Sequence, residues 1–456
     1  MNKNEVTRTH IFFKALSSRL FVALCMVLSH SAIPNFDPGH DVASFKFSAP
    51  IERRGAPRVL SAFTKWDAAR FLNLALDPRI RSSKIIISEE GKRKLNDFGS
   101  PKIVQLMRQK ICYSSSMLHV HAKCYLKVSK RRLQEAEESQ AFFPLWPAVI
   151  RFFFSLVDNL VPMRVDTGMV LVALLMNALS FSAAAVCLDE LSRDFLKFSD
   201  IFGGDQYFTY DEARTAVELY IWNPANVFFT TCYSEGIFSL FVFCGYMCHV
   251  KSRLVSGWYQ IIGLKIVALL MFLLSAWTRS NGVFVLVYVL AMNVIALVHN
   301  VGKHGKMRNF IFYFAAFLAS SLLVVVALVL PMWIHNFRGR ALLCGGPIRN
   351  SYCKKADYMT ELNDVYTYVQ SKYWNVGMFK FYEWKQIPNF ILATPVFVIL
   401  FQGIYRHYQF LDRSSKGEYL TFVRACLNDP YICHLAVLVL SAATCLTMAH
   451  IHISTR

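Results

Sequence analysis

A chain of 456 residues in which 55% are hydrophobic and 38 are Phe carries more apolar side chain than a soluble domain of that length can hide. The formal charge of +19 is uneven: residues 79–134 hold 14 Lys or Arg against 3 Asp or Glu, and a membrane protein with cytosolic basic loops is mildly basic in any case. A soluble enzyme is excluded, and no nucleic-acid partner is needed to account for the charge.

Helical spans need about 20 mostly apolar residues, and this criterion predicts an all-α polytopic membrane protein with about 8–10 transmembrane helices. The first apolar run, Phe12 to Ile33, contains Lys14, Arg19 and His30, lacks a distinct small-residue cleavage site, and reads as a retained signal anchor in preference to a cleaved signal peptide. Lys3, Arg8 and Lys14 favour a cytosolic N-terminus, which places the following segment in the lumen.

Further windows fall near 142–161, 167–190, 213–232, 234–250, 259–277, 281–299, 309–334, 387–405 and 431–451. The pair at 213–250 contains Asn223, Pro224, Asn226 and Glu235, so it fits one span, two short helices or a re-entrant piece buried in protein. The implied organisation is an anchor at 1–33, a lumenal loop at 34–141 with a basic insert at 79–134, a transmembrane body at 142–334, a second large loop at 335–386 and C-terminal spans at 387–456.

The 12 Cys are scattered without a C-x-x-C pair and mostly sit in apolar windows, so free buried thiols are expected rather than a disulfide or metal role. His119 and His121 lie in the basic insert with no third ligand nearby, and no metal site is expected. No internal repeat, P-loop, dinucleotide fingerprint, zinc-protease or hydrolase motif is present. A transporter or scramblase would show related halves or paired broken helices, and the sequence has no such symmetry.

Polar residues in or beside apolar windows face a partner or a wet cavity, or else lie at helix ends in the headgroup region. Asp67, Asn223, Asn226, Tyr233, Glu235, Arg279 and Asn281 are of this kind. Several sit in strings that resemble the PIG-V family, the GPI mannosyltransferase 2 enzymes. Lys65-Trp66-Asp67-Ala68-Ala69-Arg70-Phe71-Leu72 is similar to one family element, and Ala141-Phe142-Phe143-Pro144-Leu145-Trp146-Pro147 to the next. Asn223-Pro224-Ala225-Asn226-Val227-Phe228-Phe229 follows, then Tyr233-Ser234-Glu235 with Phe238, and Thr278-Arg279-Ser280-Asn281-Gly282. Tyr373-Trp374-Asn375-Val376-Gly377, Gln386-Ile387-Pro388-Asn389-Phe390 and His450 to Arg456 complete the series in the family's order.

The resemblance implies the membrane GT-C glycosyltransferase architecture. It also implies transfer of the second mannose from dolichyl-phosphate mannose to a GPI-anchor precursor, in α-1,6 linkage, on the lumenal side of the endoplasmic reticulum. The competing readings are another dolichyl-phosphate-sugar transferase and an inactive membrane subunit or truncated product. The partners expected are the two lipid substrates and, at most, a small stabilising membrane subunit; no cofactor is expected beyond the lipid donor.

Two departures bear on this. The family passes from Trp-Asp-Ala to Ala-Phe-Phe-Pro over a much shorter connection, so the extra segment 79–134 is expected to be a gene-model error rather than a true lumenal loop. The family also continues past the position of Arg456 with another loop and span, so the C-terminal segments are expected to be truncated.

A β-linked donor and an α-linked product require one inversion, and a dolichyl phosphate leaves as a stable anion, so a single carboxylate base suffices. A retaining route would call for a second carboxylate. Asp67 is the expected general base, with a helix-capping role as the competing reading. Trp66 beside it shields the site, stacks on a sugar or anchors the interface. Arg279 is expected to stabilise the leaving phosphate or else to pair with Glu235 or a carbonyl. Tyr233, Glu235 and Asn281 are expected to line the substrate groove, and His450 and His452 to have structural or groove-lining roles.

Overall fold

The computed structural model describes residues 3–32, 58–63, 67–76, 137–201, 209–223, 225–304, 307–344, 352, 364–416 and 418–448, and all regular structure among them is helical. The basic segment 79–134 with His119 and His121, and also Trp66, His450 and His452, lie outside the described residues. The chain opens with α1 (Lys3–Ala32), a 3-10 turn (Arg58–Phe63), α2 (Asp67–Leu76), a second 3-10 turn (Ser139–Ala141), α3 (Leu145–Leu160) and α4 (Val165–Ile201). Next come α5 (Tyr210–Ile221), α6 (Asn226–Thr230), α7 (Glu235–Leu254), α8 (Trp258–Thr278), a 3-10 turn (Ser280–Phe284), α9 (Val285–His304) and α10 (Met307–Cys344). They are followed by α11 (Asp364–Trp374), α12 (Ile387–Ser415), α13 (Tyr419–Asn428) and α14 (Tyr431–Thr447).

Among the described residues, 6 stretches are long and apolar enough to cross a membrane: Thr7–Ser29, Thr167–Phe198, Trp258–Thr278, Ser280–Val301, Phe310–Cys344 and Trp384–Ser415. The bent pair α13 and α14, inclined at 87°, makes a seventh if counted as one broken span. The chain is an all-α multi-pass membrane protein. Half of the α4 span is buried inside the protein, against 11% of the α12 span, so α4 runs through the centre of the bundle and α12 along its lipid-facing rim. α10 and α12 carry internal prolines, Pro331 and Pro395, which peripheral spans tolerate more readily than a tightly packed central one.

The remaining apolar windows behave differently. The one near 142–161 forms α3, whose 16 residues bury Trp146, Pro147, Ile150 and Phe154 and leave Phe152, Leu156 and Leu160 outside. The pair at 213–250, which the sequence left open, consists of two short helices, α5 and α6, followed by the 20-residue α7. Within α7, Glu235 opens the helix and Lys251 and Arg253 occupy its last turn. α10 runs past the apolar window, which ends at residue 334, to Cys344, with His335 and Asn336 buried along it.

A broken helix at membrane depth frees carbonyls that lipid cannot satisfy. Arg19, 2% exposed on α1, supplies the missing donors. Its Nη2 donates to the Ile221 carbonyl at 2.9 Å, and its Nη1 to the Asn226 carbonyl at 3.1 Å and Thr230 Oγ1 at 3.3 Å. The guanidinium also stacks over Phe181 at 4.0 Å. Asn226 Nδ2 donates to the same Ile221 carbonyl at 3.1 Å. A charge that the sequence places in a signal anchor is thus the clasp that holds the α5–α6 break.

The two ends of the bundle differ in chemistry. Towards the N-terminus of α1, Arg8 and Lys251 both pair with Glu190, and Lys251 lies 3.7 Å from Asp194. The other end gathers the C-terminal end of α8, the first turn of α7 and the loop after α11, whose Gly377 N–H bonds the Met448 carbonyl at 3.0 Å. All the motif strings that are described lie at or next to this second end, save for α6 and the start of α12. Cys344 there is disulfide-bonded, which corrects the expectation of free thiols at that position; the other described cysteines are free.

Candidate active site

α2 starts at Asp67 and is fixed one turn later. Arg70 stacks over Trp374 at 4.5 Å and lies 5.7 Å from the Phe142 ring, with Glu138 3.4 Å from its guanidinium. Phe71 meets Phe142 edge-on at 5.1 Å and Tyr233 at 6.4 Å, while Ala68 and Leu72 are fully buried. Four strings distant in sequence therefore meet around one aromatic cluster. The backbone of Asp67 is held by these anchors, while its side chain lies outside the described residues.

The segment that precedes α7 is clamped from two sides. Trp146, entirely buried, donates its indole N–H to the Cys232 carbonyl at 3.0 Å. Asn177 of α4, also entirely buried, donates to the Thr231 carbonyl at 2.7 Å and accepts from the Gly236 N–H at 3.0 Å. Gly236 has to be glycine, because a Cβ there would stand 2.1 Å from Asn177 Oδ1 and 2.8 Å from its carbonyl oxygen. These clamps fix Tyr233 and Glu235 as neighbours of the α2 cluster.

Glu235, 4% exposed, pairs with Arg279 across α7 and the end of α8, with Arg279 Nη1 2.5 Å from Glu235 Oε1. Neither Glu235 oxygen accepts a hydrogen bond of regular geometry. The pair is asymmetric: the carboxylate side chain is 5% exposed and the guanidinium side chain 24%. A buried carboxylate thus holds an arginine that still reaches the surface of the site. Phe238, one turn along α7, lies 5.9 Å below the guanidinium.

Arg279 leaves α8 in extended backbone, and the 3-10 turn Ser280–Phe284 folds back on the helix end. Gly282 permits this, since a Cβ would come within 2.8 Å of the Ala276 backbone. The turn leaves Asn281 exposed and brings Ser280 Oγ to 2.9 Å from the Tyr366 hydroxyl of α11. α11 is in turn tied to the start of the second 3-10 turn by Lys372, 2.6 Å from Glu137. Burial lowers the Lys372 pKa, but the hydrogen bond and charge of Glu137 outweigh it and leave the ammonium above the usual lysine range.

The structure brings together Tyr233, Glu235 and Arg279, and places Asn281 beside them on the exposed side of the turn. Asp67 opens α2, and Phe71, one turn later, is the α2 residue that meets Tyr233. Arg279 adopts the pairing with Glu235 that the sequence offered as one option, and it remains partly exposed. The sequence reading missed Asn177 and Tyr366, which position the strings, and gave Arg70 no role of its own within its string. An Asn inside the apolar window 167–190 is a costly placement and could have flagged Asn177. No group of three or more His, Cys, Asp or Glu that could hold a metal ion occurs among the described residues.

The family described as Mannosyltransferase (PIG-V) matches residues 64–456. GPI mannosyltransferase 2 of Drosophila pseudoobscura pseudoobscura is 26% identical over 396 residues, covering 80% of this chain and 79% of that protein. GPI alpha-1,6-mannosyltransferase 2 of Mus musculus is 28% identical over 292 residues, covering 58% and 52%. GPI mannosyltransferase 2 of Saccharomyces cerevisiae is 24% identical over 288 residues, covering 61% and 62%. No solved structure matches the chain. With a match that spans the α2 string, the clamped loop and the Glu235–Arg279 pair, the chain belongs to the PIG-V mannosyltransferase family.

Proposed function

We propose that this chain transfers the second mannose from dolichyl-phosphate mannose to a GPI-anchor precursor, in α-1,6 linkage, at the lumenal face of the endoplasmic reticulum membrane. The observation that carries the reading is the convergence of the family's strings on Glu235 and Arg279 at one end of the bundle. Cys344 supports the lumenal orientation, because a disulfide persists in an oxidising compartment and this one lies at the end of α10 towards the site. Lys3, Arg8 and Lys14 at the opposite end of α1 support it by charge.

Mechanistically, Asp67 accepts the proton of the attacking hydroxyl and the anomeric centre inverts once. Arg279, held by Glu235, neutralises the phosphate as the dolichyl phosphate departs. Trp66 covers the sugar beside Asp67, and Tyr233 and Asn281 line the groove. The helical body supports the GT-C architecture, and a small membrane subunit is compatible with the broad lipid-facing rim formed by α10 and α12.

The test is the lipid profile of cells lacking their own second mannosyltransferase, expressing this chain, Asp67→Asn, or the chain without residues 79–134. Conversion of mono- to di-mannosyl precursors by the chain or by the shortened version, abolished by Asp67→Asn at equal protein level, is the expected result. Equal activity of Asp67→Asn removes that residue as base. No conversion by any membrane-inserted version overturns the assignment of activity.

A further inference from the structure

A second cluster of polar side chains lies near the opposite end of the bundle, in and beside the last turn of α7, far from Glu235 and Arg279. Arg253, in the last turn of α7, donates from Nη2 to Asn293 Oδ1 of α9 at 3.2 Å, and Asn293 Nδ2 passes the chain on to Ser320 and Ser321 of α10, each at 3.2 Å. His249, one turn before Arg253, faces the Tyr288 ring edge-on at 6.0 Å between centroids. Lys265 of α8 stands close enough to Arg253 and His249 for their charges to interact. At 1.5 Å per helical residue, His249 is about 20 Å along α7 from Glu235, so the cluster belongs to the other half of the membrane.

The cluster is unbalanced in a way that the N-terminal charge pairs are not. Among the described residues no carboxylate pairs with Arg253 or Lys265, whereas Glu190 and Asp194 are engaged with Lys251. Three polar atoms, Arg253 Nε, His249 Nε2 and Tyr288 Oη, are buried without a hydrogen-bond partner. Tyr288 is entirely buried and His249 is 7% exposed, so water from outside does not supply the missing partners directly. Lys265 is exposed on the lipid-facing surface of α8, between the exposed Ile262 and Ile266, which opens the cluster sideways to the bilayer. Uncompensated buried donors of this kind are expected to meet an acceptor. Two cations, one of them a guanidinium with an unpartnered Nε, select an acceptor that is anionic and has several oxygens, which is the chemistry of a phosphate ester.

We propose that Arg253 and Lys265, backed by His249, form a second anion site, which holds the phosphate of a lipid entering from the bilayer past α8, in the half of the membrane opposite to the transfer site. The lipid tail lies against the apolar surface of α8, while Asn293 orients the guanidinium. This site is independent of the transfer reaction and stands whether or not the reaction assignment does.

Native mass spectrometry of the full chain in detergent, titrated with dioleoyl phosphatidate, dioleoyl phosphatidylcholine or inorganic phosphate, tests it. Phosphatidate adducts are expected on the unaltered chain, and Arg253→Gln is expected to weaken them by about tenfold, the order expected for one charge-assisted hydrogen bond. Lys265→Gln, on an exposed residue that bears no core packing, provides a variant whose folding is not at risk and is expected to weaken them several-fold. Arg413→Gln, exposed elsewhere on the chain, is expected to leave them unchanged. Competition by inorganic phosphate at comparable concentration would assign the anion to free phosphate, and lack of competition to a lipid headgroup; either supports the anion site. Adducts unchanged in both Arg253→Gln and Lys265→Gln, or weakened equally by Arg413→Gln, overturn it.

Discussion

The two ends of the bundle handle charge in opposite ways. At the N-terminal end of α1, ion pairs are formed among partly exposed side chains, and two of them, Arg193 with Asp189 and Lys197 with Asp194, are local to α4. At the other end, Arg279 with Glu235, Arg70 with Glu138 and Lys372 with Glu137 each join separate elements, and the acidic partner is buried in every case. Exposed local pairs contribute little, whereas a buried carboxylate that loses its cation leaves an uncompensated charge. The first end tolerates change, and the second is built so that each charge fixes the position of another string.

The largest expected effect follows from separating Glu235 and Arg279. Arg279→Ala is expected to destabilise the protein by about 3–5 kcal/mol, because a buried carboxylate is left unpaired. It is also expected to lower transfer by about 100-fold or more if the guanidinium meets the leaving phosphate. The double variant Glu235→Gln with Arg279→Gln sharpens this: thermal stability is expected to recover and transfer, assayed with membranes and a labelled lipid donor, is not. Recovery of both would reduce the pair to a structural tie.

An intermediate effect is expected from the clamps. Arg19→Met removes one donor from each of the Ile221 and Asn226 carbonyls at the α5–α6 break, leaving them Asn226 Nδ2 and Thr230 Oγ1, and is expected to cost about 1–3 kcal/mol, as is Asn177→Ala. Both are read by thermal unfolding in detergent, and limited proteolysis between α5 and α7 should become faster. A stability unchanged in Arg19→Met would mean that the break is held by Asn226 alone.

The smallest effect belongs to the opposite end, where Arg8→Ala and Lys197→Ala are each expected to shift stability by less than about 1 kcal/mol and to leave transfer unchanged. A loss of several kcal/mol there would dissolve the contrast between the two ends.

Much of the fold was legible because lipid is a simple selector. A run such as 259–277 has few ways to exist other than as a helix across the membrane, and α8 is that helix. The difficult window was 213–232, in which Asn223 and Asn226 interrupt the apolar pattern without saying how the break is satisfied. The answer is Arg19, more than two hundred residues away in α1, and no local pattern predicts such a partner. In the same way, the Tyr233-Ser234-Glu235 string was recognisable by its order, but the residue that holds it, Asn177, belongs to none of the strings.

By itself the sequence determined the solvent, the helical class and the family, because apolar run lengths and ordered short strings are properties of the linear chain. Which end of the bundle gathers those strings, that Glu235 is the partner of Arg279, and that Arg253 meets Asn293 and no carboxylate among the described residues were decided only by the tertiary structure. Desolvation depends on what surrounds a charge in three dimensions, and neighbours separated by tens or hundreds of residues leave no trace in local periodicity.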